Sequence, residues 1–349
     1  MDAQEEIGQN LEDRIVAGFL GGVLGDALGE PLEFLPPEER LRRWGPLGVQ
    51  EFVHSGQRGH FTDDTQMTLF TAEGLMVHAS GGEPLLATLH RAYLRWLLTQ
   101  EFPGRIAPDR YRDEGFLLEA AVLYQRMGPG RTCLVSLSQA TDLGVTAVNG
   151  SKGCGGLMRV APIGFWAAMD PEHWDLPRTF GVASGAAQLT HGHACGFLSA
   201  GAFAVLLRET AGGTSLEEAL RRLLEFLSSL GETGTGVQRP LQTAMELAEA
   251  RTAWPEAITR LGAGWVAEEI LAIVVFLGLA APDFLAGVRL AANHPGDADS
   301  IGAIAGQLLG TLWGMQAIPE DWIRRIDGIG TVHLLVSQFL AASRETRNG

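Results

Sequence analysis

The sequence predicts an all-α fold, a compact helical bundle in a single domain. Apolar residues recur at helical spacing in most of the chain, and no segment shows the alternation that is typical of strands. No low-complexity linker divides the chain. The length of 349 residues would by itself allow two domains, but that prior is soft. We expect a flexible N-terminus at residues 1–10 and one domain over residues 11–345.

Composition excludes several classes of partner. The formal net charge of −15 argues against nucleic acid or an anionic membrane as a general partner, although one local anchor suffices for a small anion. The three cysteines form no CxxC pair and no dense disulfide framework, which favours a reducing compartment. The acidic N-terminus is unlike a signal peptide, and the longest apolar run, residues 271–281, is too short to span a bilayer. These features favour a soluble cytoplasmic protein with no membrane partner, and we expect a monomer.

The first helix is predicted over Leu11–Leu28. Three glycines fall on it at four-residue intervals, so that a neighbouring backbone could approach closely along that line: Gly21, Gly25 and Gly29. Pro31 disfavours continuation of the helix beyond Glu30. A polar loop then runs to His60 and carries carboxylates on irregular backbone, Glu33 among them.

Further helices are predicted from the same periodicity. After the helix that Thr62 begins, they cover residues 84–99, 113–127, a segment that starts near 157, 177–189, 194–209, 215–230, 236–251, 266–280 and 299–313. The last of these carries four glycines on one stripe: Gly302, Gly306, Gly310 and Gly314. Glycine inside a helix costs about 0.5–1 kcal/mol relative to alanine, so this stripe predicts close backbone packing.

Two short segments combine paired aspartates with a hydroxyl group at a helix start. The first is Thr62-Asp63-Asp64 and the second is Asp297-Ala298-Asp299-Ser300. Helix capping explains either segment alone, because Thr and Asp suit the N-cap and the first turn. Hard divalent cations prefer such oxygen ligands, and if the segments face each other, two cations would neutralise four carboxylates. The second segment lacks the remaining ligands of a Ca²⁺-binding D-x-D-x-D-G loop.

A glycine-rich loop, Ser151-Lys152-Gly153-Cys154-Gly155-Gly156, precedes one predicted helix. Backbone N–H groups at such a junction bind anions, and Lys152 would add a positive charge, although many glycine-rich loops are only tight turns. The loop lacks the G-K-[ST] ending of a Walker A motif.

Several single residues leave alternatives open. The segment His191-Gly192-His193-Ala194-Cys195 would allow zinc, but no second ligand pair of matching spacing occurs. Cys154 is a possible nucleophile, yet no Cys–His signature supports that role over packing. Asp26, at the end of the first helix, is a candidate to orient metal ligands or water, or a solvated helix terminus.

Five motifs in order resemble the ADP-ribosylglycohydrolase family, whose best-known bacterial member reactivates dinitrogenase reductase. They are Gly25-Asp26-Ala27-Leu28-Gly29, Phe61-Thr62-Asp63-Asp64-Thr65, Gly155-Gly156-Leu157-Met158-Arg159-Val160-Ala161-Pro162, Thr190-His191 and Gly296-Asp297-Ala298-Asp299-Ser300. Each motif is weak alone, but together they cover residues 25 to 300.

The resemblance implies an all-helical single domain with two Mg²⁺ or Mn²⁺ ions. It implies that the metal ligands are Thr62, Asp63, Asp64, Asp297, Asp299 and Ser300, the last standing where the family usually has Thr. It places the pyrophosphate of ADP-ribose at Ser151–Gly156, where Cys154 replaces a common Asn, and places His191 beside the ribose and phosphates. It assigns acid–base chemistry to Glu33, with Glu30 as an open alternative.

The expected function is therefore hydrolysis of the bond between ADP-ribose and a protein side chain, with arginine favoured. Three alternatives stay open at this point: a non-catalytic binder of ADP-ribose or structural member of the fold, a hydrolase of a free derivative such as O-acetyl-ADP-ribose, and a phosphoester hydrolase. Product identity separates the last of these, because a glycohydrolase releases intact ADP-ribose.

Overall fold

The computed structural model describes residues 3–81 and 83–348, and these form sixteen α-helices. In chain order they are α1 (Ala3–Gly29), α2 (Pro37–Trp44), α3 (Asp63–Gly81), α4 (Leu85–Thr99), α5 (Arg131–Gln139), α6 (Ala161–Met169), α7 (Leu176–Gln188), α8 (Ala194–Ala211), α9 (Leu216–Ser229), α10 (Glu232–Glu249), α11 (Trp254–Leu261), α12 (Ala267–Ala280), α13 (Phe284–Ala292), α14 (Ala298–Trp313), α15 (Glu320–Arg324) and α16 (Ile329–Asn348). The α-helices and the short 3₁₀ helices together account for 69% of the chain, and β pairing in the described residues is limited to two isolated bridges. The all-α prediction is confirmed.

Most predicted helices are present with boundaries shifted by a few residues, but the one predicted over 113–127 is wrong. That segment contains only two short 3₁₀ turns, Leu117–Glu119 and Ala121–Tyr124. Gly115 has a φ of +69°, which a helix does not permit. The Glu73 carboxylate then accepts the backbone N–H groups of the next two residues, at 2.6 and 2.8 Å, and fixes the turn.

Other helices lie outside the prediction. No helix is predicted at α2, α5, α11, α13, α15 or α16, and α2 lies in the segment that is predicted as a polar loop with proline and glycine. The first helix begins at Ala3, earlier than the predicted Leu11. The flexible N-terminus predicted for residues 1–10 includes residues 1 and 2, which lie outside the described part.

Contacts divide the chain into two compact units. The first comprises the described parts of Met1–Phe61 and Glu209–Asp327, and the second those of Thr62–Arg208 and Gly328–Gly349. That residues 11–345 form a single domain stays a prediction.

The first unit is built on close contact between α1 and α14. A Cβ added to Gly25 would lie 1.9 Å from the carbonyl oxygen of Gly302, and one added to Gly302 would lie 2.2 Å from the carbonyl oxygen of Gly25. One helical turn away, Gly21 and Gly306 face each other in the same way. The two predicted glycine stripes therefore pack against each other. Gly314 is the exception, because it follows the end of α14 with a φ of +72°.

The second unit surrounds α3 with other helices. Every residue of α3 from Asp63 to Leu75 is buried, which is the pattern of a central helix rather than a surface one. Helices α4, α6 and α16 contact it. Arg95 of α4 pairs with Glu73 of α3 at 2.8 Å, so the charges inside this core are compensated.

Two helical stretches have the length and apolar character of a membrane span, Asn10–Leu32 and Ala194–Ala211. In the structure, 83% and 78% of their apolar windows are buried. Core helices of globular proteins show the same combination, so these stretches are weak evidence for a membrane.

Candidate functional site

Three carboxylates of the first unit converge at one point. Glu33, Asp297 and Asp299 each offer an oxygen atom, and these three atoms lie within 4.8 Å of one another. The side chains of Asp297 and Asp299 are buried, whereas Glu33 is half-buried. Glu33 thus lies beside Asp297 and Asp299, two of the proposed metal ligands. That these aspartates bind a metal ion stays a prediction.

The glycine contacts explain why these acids meet. A Cβ at Gly29, the last residue of α1, would lie 2.2 Å from the carbonyl oxygen of Ala298, the first residue of α14. The end of α1 is thereby held against the start of α14. Glu33 follows α1 by only one 3₁₀ turn, Glu30–Leu32, and so arrives beside the aspartates.

The capping interpretation holds only in part for the second acidic segment. Asp297 occupies the N-cap position of α14, but its carboxylate makes no capping hydrogen bond to the helix. Its backbone N–H instead donates to the carbonyl oxygen of Gly264 at 3.1 Å. The Asp299 carboxylate accepts the N–H of Ser300 at 3.0 Å, and Ser300 is buried as well. Capping therefore does not account for the Asp297 carboxylate.

The acids repel one another strongly in the absence of a cation. Burial, followed by the charges of Asp297, Asp26 and Glu30, raises the pKa of Glu33 to about 8. For two unit charges 4.8 Å apart, Coulomb's law gives about 3.5 kcal/mol at an effective dielectric constant of 20. A donor set of carboxylate oxygens without nitrogen or sulfur fits a hard divalent cation.

Glu30 and Glu33 have different neighbours. The Glu30 carboxylate lies 2.6 Å from Nε2 of His54, whose ring stacks on that of His60 at a centroid distance of 4.2 Å. His60 in turn contacts Asp327 at 2.8 Å. Glu30 is thus engaged by a histidine, while Glu33 lies with the aspartates. This difference favours Glu33 over Glu30 as the acid–base group.

Asp26 is fully buried in the last turn of α1. Its charge contributes to the raised pKa of Glu33, which places it close to the acidic cluster. Its burial argues against the solvated helix terminus that the sequence allowed. That Asp26 orients metal ligands or water stays a prediction.

Arg40 is a residue of this site that is not predicted from the sequence. Its guanidinium donates to the carbonyl oxygens of Leu32 at 2.6 Å, Leu35 at 2.8 Å and His294 at 2.5 Å. The first two flank Glu33 in the chain, and the third lies in the turn that leads to Asp297. Arg40 therefore fastens both sides of the acidic cluster together. Its sequence context is a run of charged residues that resembles a solvated surface, so no sequence signal identifies it.

The first acidic segment, Thr62-Asp63-Asp64, lies in the second unit, and all three residues are buried. Thr62 caps α3, because its hydroxyl accepts the N–H of Asp64 at 3.3 Å. One carboxylate oxygen of Asp63 accepts the N–H of Gly130 at 3.0 Å, and the Asp63 N–H donates to Met127 at 3.1 Å. The capping role is confirmed for Thr62. Metal ligation by this segment stays a prediction.

The glycine-rich loop ends in a 3₁₀ turn, Cys154–Gly156, and no helix follows it directly. The predicted helix start near Leu157 is wrong, since α6 begins at Ala161, where Pro162 suits the first turn. The carbonyl of Cys154 accepts the N–H groups of Leu157 and Met158 at 2.7 and 3.0 Å, which closes the turn without continuing it into a helix.

The ring of His191 packs against this loop. A Cβ at Gly155 would lie 3.0 Å from Cε1 of His191 and 2.7 Å from the sulfur of Cys133. The hydroxyls of Ser151 and Thr132 are 3.1 Å apart, which anchors the loop's start. The structure thus brings the predicted substrate-binding residues Ser151–Gly156, with Lys152 between them, together with His191 in the second unit. Their contact with a ligand stays a prediction.

The zinc interpretation of residues 191–195 gains no support. Within the described residues, Glu33, Asp297 and Asp299 form the group that could hold a metal ion, and neither histidine nor Cys195 joins such a group. Nδ1 of His193 accepts the backbone N–H of Cys195 at 3.1 Å, which is a local turn contact.

Several known proteins resemble this chain over most of its length. The ADP-ribosylglycohydrolase family model matches residues 8–349. The ADP-ribosylarginine hydrolase Tri1 of Pseudomonas putida is 26% identical over 326 residues, which cover 90% of this chain and 74% of that protein. The ADP-ribosyl-(dinitrogen reductase) glycohydrolase of Rhodospirillum rubrum is 22% identical over 340 residues, or 92% of each chain.

A solved structure described as an ADP-ribosylglycohydrolase-related protein complex has a TM-score of 0.60 and 26% identity to this chain. The match covers 96% of this chain and 99% of that one. The likeness therefore extends over nearly the whole chain. This chain belongs to the ADP-ribosylglycohydrolase family.

Proposed function

We propose that this protein is a metal-dependent hydrolase that removes ADP-ribose from modified protein side chains by cleaving the glycosidic bond at the distal ribose. The observation that carries the proposal is the convergence of Glu33, Asp297 and Asp299 within 4.8 Å. The names of the two relatives support a protein acceptor, and that of the Pseudomonas putida protein supports arginine.

The cofactor in this proposal is a pair of Mg²⁺ or Mn²⁺ ions. The residues that would hold it are Thr62, Asp63, Asp64, Asp297, Asp299 and Ser300. Four aspartate charges balance two divalent ions, which leaves Glu33 outside the charge balance and available for proton transfer. When bound, the ions would supply a fixed positive charge that stabilises the negative charge of attacking water or of ribose oxygens.

Glu33 is the acid–base group of this mechanism. Its carboxyl group would take a proton from the attacking water or give one to the leaving group, which requires a position within hydrogen-bond reach of the scissile bond. Arg40 holds the backbone on both sides of Glu33 and so limits its movement. Such a fixed position matters because a misplaced acid–base group loses most of its catalytic effect.

A further set of residues would bind the pyrophosphate of the substrate. Backbone N–H groups of the Ser151–Gly156 loop would bind the pyrophosphate, and His191 would donate a hydrogen bond beside them. Lys152 is half-buried in that loop and would add a positive charge. With a net charge of −15, the protein needs such a local anchor for an anionic substrate.

Three variants test the proposal. Asp299→Asn should lose both metal binding, measured by calorimetry with Mn²⁺, and the release of ADP-ribose from ADP-ribosylated arginine. Glu33→Gln should keep metal and ADP-ribose binding and lose turnover, while Glu30→Gln serves as the matched control and should retain most turnover. Full activity of Asp299→Asn after metal removal would refute the metal mechanism, and unchanged turnover in Glu33→Gln would move the acid–base role elsewhere.

The products separate the competing functions. Mass spectrometry of reactions on ADP-ribosylated arginine, other acceptors and O-acetyl-ADP-ribose should find intact ADP-ribose. Phosphate or AMP would indicate a phosphoester hydrolase. Binding of ADP-ribose without turnover of any acceptor would indicate a non-catalytic member of the family.

A further inference from the structure

Arg159 is a fully buried cation that forms no ion pair with any described residue. Its Nη2 donates to the carbonyl oxygen of Ala186 at 2.9 Å and to the hydroxyl of Thr190 at 2.8 Å. Its guanidinium lies over the ring of Tyr93, 4.1 Å from the centroid. A buried charge without a counter-charge lowers the stability of a protein. The retention of such a charge at Arg159 therefore suggests that its hydrogen bonds serve the function.

The hydroxyl of Thr190 connects Arg159 to His191. Thr190 Oγ1 lies 2.8 Å from Nδ1 of His191 and 3.3 Å from the carbonyl oxygen of Ala187. That carbonyl already accepts the backbone N–H groups of Thr190 at 3.1 Å and of His191 at 2.9 Å. A carbonyl oxygen has two lone pairs, so both are in use.

The hydrogen bonds around Thr190 fix the direction of its hydroxyl hydrogen. The oxygen accepts a hydrogen bond from Arg159, which always carries its protons. Three acceptors lie near this hydroxyl: the occupied carbonyl of Ala187, the sulfur of Cys133, which is a weak acceptor, and Nδ1 of His191 at 2.8 Å. The hydrogen therefore points to Nδ1 of His191. Because Nδ1 accepts this bond, the ring of a neutral His191 carries its hydrogen on Nε2.

Nε2 of His191 faces the glycine-rich loop. It lies 3.8 Å from the Cβ position of Gly153 and 3.4 Å from that of Gly155. The residue is 2% exposed, and among the described residues Nε2 has no hydrogen-bond partner. A nearly buried N–H group without a partner, set against a loop of glycines, is suited to an acceptor that arrives with a ligand.

We propose that Arg159 and Thr190 are positioning residues, which hold His191 as a neutral Nε2–H donor to a phosphate oxygen bound at the Ser151–Gly156 loop. The inference rests on the proposed function, which supplies the diphosphate ligand. The opposite tautomer would present a lone pair to the anion and repel it. Burial, followed by the charge of Arg159, lowers the pKa of His191 to about 3, so the ring stays neutral at physiological pH.

The tautomer can be measured directly in the free protein. Protonated and unprotonated ring nitrogens differ clearly in ¹⁵N chemical shift, and loss of one signal set in His191→Gln assigns the residue. The wild type should show hydrogen on Nε2 alone. Thr190→Val has nearly the same shape but lacks the hydroxyl, and should show both tautomers, whereas the matched control Thr190→Ser should behave like the wild type.

Binding of ADP-ribose in Mg²⁺ gives the second readout. Only the tautomer with hydrogen on Nε2 donates to the anion, so a Thr190→Val protein in which half of the rings carry it should bind about twofold more weakly, and Thr190→Ser should bind like the wild type. Arg159→Lys should also show both tautomers of His191. If that variant shows hydrogen on Nε2 alone, Arg159 is not needed to position His191. Because Arg159 is buried and its variant is at risk of misfolding, the Thr190 pair decides the main question.

The outcomes separate this inference from the proposed function. Hydrogen on Nδ1 in the wild type would overturn the proposed positioning of His191 by Thr190. Wild-type affinity in a Thr190→Val protein that shows both tautomers would overturn it as well. A wild-type protein with Nε2–H that does not bind ADP-ribose would instead overturn the proposed ligand.

Discussion

Replacement of Arg40 by Met tests whether the three carbonyl contacts position the acidic cluster. Charge-assisted hydrogen bonds contribute about 1.5–3 kcal/mol each, which gives an upper limit of roughly 5–9 kcal/mol for three. Burial opposes the charge and lowers the pKa of the guanidinium, and water can reach the half-buried Leu35. We therefore expect a net loss of about 3 kcal/mol in the free energy of unfolding.

The assay compares Arg40→Met with Arg42→Met. Arg42 lies on the same helix but is exposed and pairs only with Glu39, so its loss should change stability little. With an unfolding entropy of about 2.1 cal/mol/K per residue over 349 residues, 3 kcal/mol corresponds to a Tm lower by about 4 °C.

Turnover should respond more strongly than the Tm suggests. Without Arg40 the backbone around Glu33 is free to move away from Asp297, so kcat should fall at least about tenfold, with a smaller change in KM. Wild-type kcat and Tm in Arg40→Met would refute the positioning role. Equal losses in Arg42→Met would show that the effect belongs to helix α2 in general.

Two further predictions concern stability. Gly302→Ala places a Cβ 2.2 Å from a backbone oxygen and should destabilise by about 2 kcal/mol or more in urea unfolding, whereas Gly181→Ala, with nothing within 4 Å of its Cβ, should be neutral or stabilising by up to about 1 kcal/mol. Burial, followed by a nearby arginine in each case, lowers the pKa values of His90, His191 and His294 from 6.5 to about 4, 3 and 4. The unfolded chain therefore binds more protons below pH 6.5, so stability should fall from there towards pH 4, by up to about 4 kcal/mol per pH unit. A flat stability profile between pH 6.5 and 4.5 would contradict this linkage.

The periodicity of apolar residues predicts those helices that bury one apolar face. It fails where contacts from distant side chains determine the backbone conformation. The helices at 84–99 and 177–189 have clear apolar faces and lie within two residues of α4 and α7. Residues 113–127 also contain apolar residues at suitable spacing, but the positive φ of Gly115 and the Glu73 carboxylate stop a helix there. Because Glu73 is more than forty residues away in sequence, no local pattern reveals the contact.

Some residues of the site can be predicted from a short segment of sequence, whereas others depend on contacts between distant parts of the chain. Asp297 and Asp299 belong to one short segment whose oxygen ligands are visible in the sequence, and Glu33 is linked to them through the family resemblance. The sequence does not predict Arg40 as a site residue, because its role depends on the backbone carbonyl of His294, which lies 254 positions further along the chain. A residue that acts on backbone atoms leaves no pattern of side-chain types to recognise.

The glycine stripes connect the fold to the acidic cluster. Each helical glycine costs about 0.5–1 kcal/mol relative to alanine where there is room for a Cβ, but at this helix pair the close approach of the two backbones leaves no such room. At Gly25 and Gly302 the two backbones are so close that a single Cβ would collide with a carbonyl oxygen. That separation holds the end of α1, with Asp26 and the turn before Glu33, against the first turn of α14. The stripes therefore set the distance between carboxylates that repel one another, and a methyl group at Gly302 should weaken Mn²⁺ binding as well as stability.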